Sequence, residues 1–459
     1  MNKFVHFEEK SLYKLIVEYS LPATIGMIVS FSYNIIDRIF VGNQLGAEAL
    51  SGVALTFPLQ IIIFGIAFMI GIGANSNVSL SLGRKELDEA EKFLGNAITL
   101  SLIFSLIIFL IVNIFFDRIL DLLGSYGSTR FYSAGLLKVA IWGVFFQSIS
   151  MGLNNLIRAV GYPNTAMFTQ IIGAFLNIIL DALFIFQFGW GVEGAALATN
   201  LSFMISALWV IGFFLFRNVG LKIKLHNLIL YSQNARKILT NGFPSLITQV
   251  SGSFVVLLIN HKLVELSGHQ GVAILSIIFS IEHFMYVPVI GLSIGLRPII
   301  GYNYGAENFD RVRKSLEFGT ILTTTIGILG FIVLQLFSEQ LIMLFVPNDL
   351  ELIAIGSRAM RIFTFFIYLV GNEIIATTYY QSIGNSKIAG IITLNRQIIF
   401  LLPLVYLLPF SYGIDGVWYA GAISDFASSI LSISFILWAI FNLKKMIKIK
   451  KETIIEPEN

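Results

Sequence analysis

Asp37, Asn177, Asp181 and Thr199 are the residues whose types and spacing could do chemistry in an apolar setting. Asp37 sits within LPATIGMIVSFSYNIIDRIFVG, and Asn177 and Asp181 interrupt LNIILDALFIF. Positions four apart share one face of a helix, so the amide and the carboxylate of the second stretch project together. Thr199, in EGAALATNLS, adds a hydroxyl. Carboxylate, amide and hydroxyl oxygens are hard donors suited to an alkali cation, whereas two carboxylates brought close would hold a proton. Each residue also has a plain structural use: Thr199 can bond the carbonyl four residues back, and Asn177 can join two helices. An ionised side chain at bilayer depth costs about 2.5–3.5 kcal/mol or more unless it faces protein or water. Arg38 is a poor partner for Asp37, because adjacent helical residues diverge by about 100°. Asp37 therefore reads as functional.

The elements that must position these groups are membrane helices. Of the 459 residues, 56% are hydrophobic and 12% charged, a balance outside that of soluble domains. Runs long enough to cross about 30 Å of hydrocarbon fall at 13–41, 50–80, 93–116, 130–156, 164–188, 192–216, 238–264, 271–302, 317–338, 353–381, 388–410 and 416–442, twelve spans in all. They are continuous Leu, Ile, Phe and Ala runs broken by Gly and Pro, not short alternating strands, so the expected fold class is all-α and polytopic. The opening MNKFVHFEEKSLYKL mixes acids with bases and has no small-residue cleavage site, so span one is expected to remain. Pro22 in that span removes a backbone hydrogen bond and permits a bend.

The net charge of +3 matters less than where the bases stand. They precede span one and follow spans two, six, eight and twelve, all on one side if the spans alternate, while 42–49 and 189–191 hold none. The positive-inside rule then places both termini in the cytoplasm, with the chain multi-pass in the cell membrane. Without cysteine, neither a disulfide nor a thiol mechanism is available. The expected partners are the lipid bilayer and a small-molecule cargo, with no nucleic acid, and the expected state is a monomer.

A repeat divides the chain. LGAEALSGVAL (45–55) resembles LSGHQGVAILS (266–276), and SLGRKELDEAEKFLGNAITLS (81–101) resembles NYGAENFDRVRKSLEFGTILT (303–323); Gly46 aligns with Gly268 and Gly83 with Gly305, both offset by 222. RAVGYPNTA (158–166) and GVEGAALA (191–198) meet QSIGNSKIA (381–389) and GIDGVWYA (413–420) at 223 and 222. An even number of spans per half makes these parallel repeats. The expected organisation is a six-helix bundle over 1–216, a polar connector at 217–236, a second bundle over 237–442 and a basic tail at 443–459. Two bundles rocking about a central cleft suit alternating access. The acids are not repeated: offsets of 222 or 223 carry Asp181 to Pro403 or Leu404, and 222 carries Asp37 to Ile259. The second half instead holds Glu282, Glu373 and Asp425 with Arg297 and Arg396, for which mutual pairing and cargo binding are equally open. Tyr33, Asn34 and Gln147 could line the cleft.

The run YNIIDRIFVG with Pro22 ahead of it, LNIILDALFIF, RAVGYP before it and GVEGAALAT after it resemble the multidrug and toxic compound extrusion (MATE) family. The resemblance covers nearly the whole chain. It implies that Asp37, Asn177, Asp181 and Thr199 form a cation site in the N-terminal bundle, binding sodium if the coupling ion is sodium. It further implies export of organic cations in exchange for sodium ions or protons, no cofactor, and a bend near Pro22 linked to the state of the site. Some family members add an acid in span seven soon after Gly-x-Pro; here that segment reads GFPSLITQVSGSFVVLLIN, so an ion site of that kind is not expected in the second half.

Other functions fit less well. GLSIG (291–295) matches Gly-x-Ser-x-Gly, but that motif needs a strand-turn-helix setting and a positioned His, so an intramembrane enzyme is not expected. A flippase for a lipid-linked oligosaccharide or cell-wall precursor would want a cleft rich in Arg and Lys, whereas acids mark the N-terminal bundle. A channel would want a filter or a ring of charges, and neither is present.

Overall fold

The computed structural model describes residues 6–455, and these form helices and connecting turns with no strand among them. Twelve spans follow in chain order: α1 (Leu12–Gly46), α2 (Glu48–Gly83), α3 (Leu87–Ile114), α4 (Gly127–Ala159), α5 (Pro163–Gln187), α6 (Gly191–Phe216), α7 (Ser232–Ser267), α8 (Gln270–Gly305), α9 (Phe309–Leu336), α10 (Leu350–Phe363 and Ile367–Ser382), α11 (Ser386–Tyr412) and α12 (Asp415–Glu452). Helices satisfy their own backbone groups, which an apolar solvent requires. Their amphipathicity is inverted relative to soluble proteins. On α3, Leu102, Leu106 and Leu110 are exposed, while Ser101 and Ser105 are buried. Ser105 Oγ donates to the Val144 carbonyl of α4 at 3.2 Å, one of the small polar contacts that join helices in lipid.

Backbone geometry carries the repeat. Gly46, Lys85, Gly161 and Gly191 adopt positive φ, and so do Gly268, Glu307, Gly384 and Gly413, each 222 or 223 positions later. Lys85 and Glu307 accept a conformation that disfavours a Cβ at the same turn of each half. Shared strain at matched positions is a stronger sign of duplication than matched letters.

The described residues form two compact units: one comprises Leu21–Gln249 with residues 6–10, the other Ser11–Ser20 with residues 250–455. The first helical turns of α1 thus belong to the second unit, and the first half of α7 belongs to the first. Close packing explains both. A methyl group on Gly73 of α2 would stand 1.9 Å from the Ile238 carbonyl oxygen of α7, and one on Gly242 would stand 1.7 Å from that of Met69. In the second unit, a methyl on Gly295, 222 positions after Gly73, would meet Ser20 of α1 at 2.6 Å, and Tyr13 packs edge-on against Phe318 with ring centroids 4.7 Å apart.

The connector is strapped to α3. Asn96 donates to the Asn227 and Ile229 carbonyls at 3.3 and 3.2 Å and accepts from Tyr231 N at 2.9 Å. Thr99 Oγ1 donates to Leu228 O at 2.6 Å, and buried Glu91 pairs with Lys224. Gly95 lets the strand of chain lie flat, because a Cβ there would stand 2.2 Å from Asn227 O.

Span ten departs from the single helix that its apolar run suggests: its two segments meet at 48°. The hydroxyl of Thr364 donates to Met360 O at 2.8 Å, and Phe365, Ile367 and Leu369 take carbonyls three residues back instead of four. A hydroxyl competing for the ladder and a tightened turn together bend a helix. The repeat does not copy the bend, since α4 runs unbroken from Gly127 to Ala159. The basic residues after 443 continue the helix of span twelve to Ile455.

Candidate functional site

In the first unit, α1, α5 and α6 present the four residues singled out by type. Asn177 Nδ2 donates to Thr199 Oγ1 at 3.2 Å, which joins α5 to α6 and fixes the direction of the amide oxygen. The neighbouring Asn200 donates to the Val139 carbonyl of α4 at 2.6 Å, so the helix carrying Thr199 is held from both sides. Asp181 is wholly buried, and neither of its oxygens has a hydrogen-bond partner. Asn177 Oδ1 and Asp37 Oδ1 are likewise buried without a partner. Asp37 and Asp181 lie within electrostatic reach of each other, and Tyr33 is within reach of both. Arg38 lies over the Phe57 ring, 5.1 Å from its centroid.

Directly after Asp181 the helix widens into a π-helical segment, Ala182–Gln187. Such turns rearrange the backbone carbonyls and recur at functional sites. Unpaired buried carboxylates and amide oxygens are expensive, by several kcal/mol for a charged group. A proton or a small monovalent cation would relieve that cost. Among the described residues, no three His, Cys, Asp or Glu converge as metal ligands, so two carboxylates, an amide and a hydroxyl fit an alkali ion or a proton better than a transition metal.

The second unit holds a different cluster. Arg396 Nε donates to Asp425 Oδ1 at 2.7 Å, and Ser424 Oγ donates to the Arg396 carbonyl at 2.9 Å. Arg396 lies on another π-helical segment, Asn395–Leu401 of α11. Glu282, Glu373 and Tyr286 lie within electrostatic reach of the guanidinium. Glu282 Oε1, Glu373 Oε2, Asp425 Oδ2 and the Tyr286 hydroxyl are buried and have no partner. Pairing is thus real for Arg396 and Asp425 but leaves the two glutamates over. Arg297 stands apart from the acids, with an amide neighbour in Gln381 at 3.5 Å.

Other residues picked out by type fall elsewhere. Asn34 is exposed and donates to its own helix at Ser30 O, 2.7 Å away. Gln147 is half-buried on α4, and Pro22 is buried in α1. Tyr286 was missed by type alone, although its place four residues after Glu282 puts both on one face. Ser293 Oγ donates to Ile290 O at 2.8 Å inside a continuous helix, so its hydroxyl is committed to its own backbone and the Gly-x-Ser-x-Gly match lacks the setting it needs.

A family model described as MatE matches residues 22–183 and 244–407, one block per half. The multidrug export protein MepA of Staphylococcus haemolyticus (strain JCSC1435) is 25% identical over 453 residues, covering 99% of this chain and 98% of its own. Among solved structures, the outward-facing conformation of a multidrug resistance MATE family transporter of the MOP superfamily superposes with a TM-score of 0.90 at 26% identity, covering 96% of this chain and 98% of that one. A MATE crystal structure in the bent conformation does so at 0.90 and 26%, covering 97% and 98%.

Proposed function

The chain belongs to the multidrug and toxic compound extrusion family of membrane transporters, and from that premise we propose that it exports organic cations in exchange for sodium ions or protons. The coupling ion binds at Asp37, Asn177, Asp181 and Thr199. What carries this reading is Asp181: a carboxylate wholly buried, with no donor on either oxygen, beside an amide oriented by Thr199 and within reach of a second carboxylate. Tyr33, Asn34 and Gln147 in the first unit, and Glu282, Glu373 and Arg396 in the second, serve the cargo. The protein works as a monomer in the cell membrane with both termini in the cytoplasm, which the placement of its bases supports.

Coupling follows from linkage. Moving a two-state balance from 1:99 to 99:1 takes about 5.5 kcal/mol of differential binding. Neutralising the buried, donorless carboxylate of Asp181 together with that of half-buried Asp37 supplies energy of that order, because an unpaired charge in such a setting is costly. The ion therefore favours whichever arrangement encloses the acids, and the cargo is released from it. Pro22 leaves α1 one hydrogen bond short on the helix that carries Asp37, so a bend there is the natural mechanical response. Acids outnumber the single base in the second cluster, which favours cationic over phosphorylated cargo.

Ethidium efflux from proteoliposomes under an imposed sodium gradient, compared with an imposed proton gradient, identifies the coupling ion. Parental efflux by Asp37→Asn and Asp181→Asn variants under the effective gradient would overturn the site assignment.

A further inference from the structure

We propose that Arg396 is a tethered cation, held among the acids of the second unit between transport events and displaced by the incoming organic cation. The inference rests on the reading of the cargo as cationic. Its geometry is a mismatch of donors and acceptors. Three carboxylates and a phenol lie within electrostatic reach of one guanidinium, which has five N–H donors but a single hydrogen bond, from Nε to Asp425. Glu282 is 5% exposed and Asp425 1%, yet each has a buried oxygen with no donor. A static structural pair would have no use for two additional glutamates.

The acids do not converge tightly enough to ligate one metal ion. Two of them, Glu282 and Glu373, keep a buried oxygen without a donor, which a second organic cation could meet. Arg396 keeps 19% of its side chain exposed, whereas Asp425 keeps 2%, so the base is the more accessible member of the pair. The π-helical segment beneath it has its freed Arg396 carbonyl taken by Ser424, which holds the backbone while the long side chain can turn. A cation of the cargo class must outbid Arg396 for Glu282 and Glu373. The tether thus sets a threshold for binding and expels the cargo when the guanidinium returns.

The test is ethidium binding to the purified full chain, read by fluorescence polarisation. Arg396→Ala is expected to bind about tenfold tighter than the parent, and Arg396→Lys close to parental. Because Arg396→Ala leaves a buried acid unpaired and can fail to fold, the double variant Arg396→Ala/Asp425→Asn removes both partners, and it too is expected to bind tighter. Glu282→Gln and Glu373→Gln are expected to bind weaker. If both Arg396→Ala and the double variant bind no tighter than a parent that does bind, the tether is overturned and the cargo reading stands. A parent that binds neither ethidium nor tetraphenylphosphonium removes both.

Discussion

The first unit wholly buries Asp181 with no donor to either oxygen and half-buries Asp37, whereas the second sets Glu282, Glu373 and Asp425 within electrostatic reach of Arg396. The two halves share a helical plan, and even their strained turns coincide. Their charged clusters do not: the residues 222 positions before Glu282, Glu373, Arg396 and Asp425 are Gln60, Met151, Ala174 and Phe203. Duplication preserved the scaffold, and each copy answered the cost of buried charge differently. In the second, Arg396 donates to Asp425; in the first, Asp181 has no donor on either oxygen and Arg38 lies within electrostatic reach of Asp37 only.

The largest expected effect tests the first half of that contrast. Asp181→Asn keeps the shape of the side chain and removes the charge, so ethidium efflux should fall at least about 100-fold while the protein still reaches the membrane. Glu282→Gln leaves Glu373 and Asp425 in place, and a loss of about tenfold is expected in the same assay. A loss at Glu282 equal to or larger than that at Asp181 would invert the comparison and move the coupling site to the second unit.

Smaller effects sharpen the contrast at the connector, which straps the first unit's α3. Gly95→Ala should lower stability by about 2 kcal/mol, since the methyl collides with the Asn227 carbonyl. Thermal unfolding in detergent measures it. The matching position is Glu317, in a half-exposed pair with Arg313, and Glu317→Ala should shift stability by no more than about 0.5 kcal/mol. Equal shifts at the two sites would mean that the strap contributes nothing particular to the first unit.

Much of this was legible in the chain. Each span is set by about twenty apolar residues, a local property, so the number of helices and the duplication could be read without a fold. That Asp37, Asn177, Asp181 and Thr199 stand out was legible for the same reason: polar atoms are scarce in lipid, and their types announce themselves. The bend in α10 was not, because it depends on one Thr364 hydroxyl competing with the helical ladder.

Composition and periodicity by themselves determined a polytopic helical protein in two repeated halves, with acids confined to particular spans. Only the tertiary structure decided that Arg396 rather than Arg297 meets the acids, that Asn177 turns its amide toward Thr199, and that the helix starts of α1 and α7 belong to the opposite units. The physical reason is range. Helix formation in lipid is settled within a single span, whereas the pairing of buried charges depends on which faces meet across hundreds of residues.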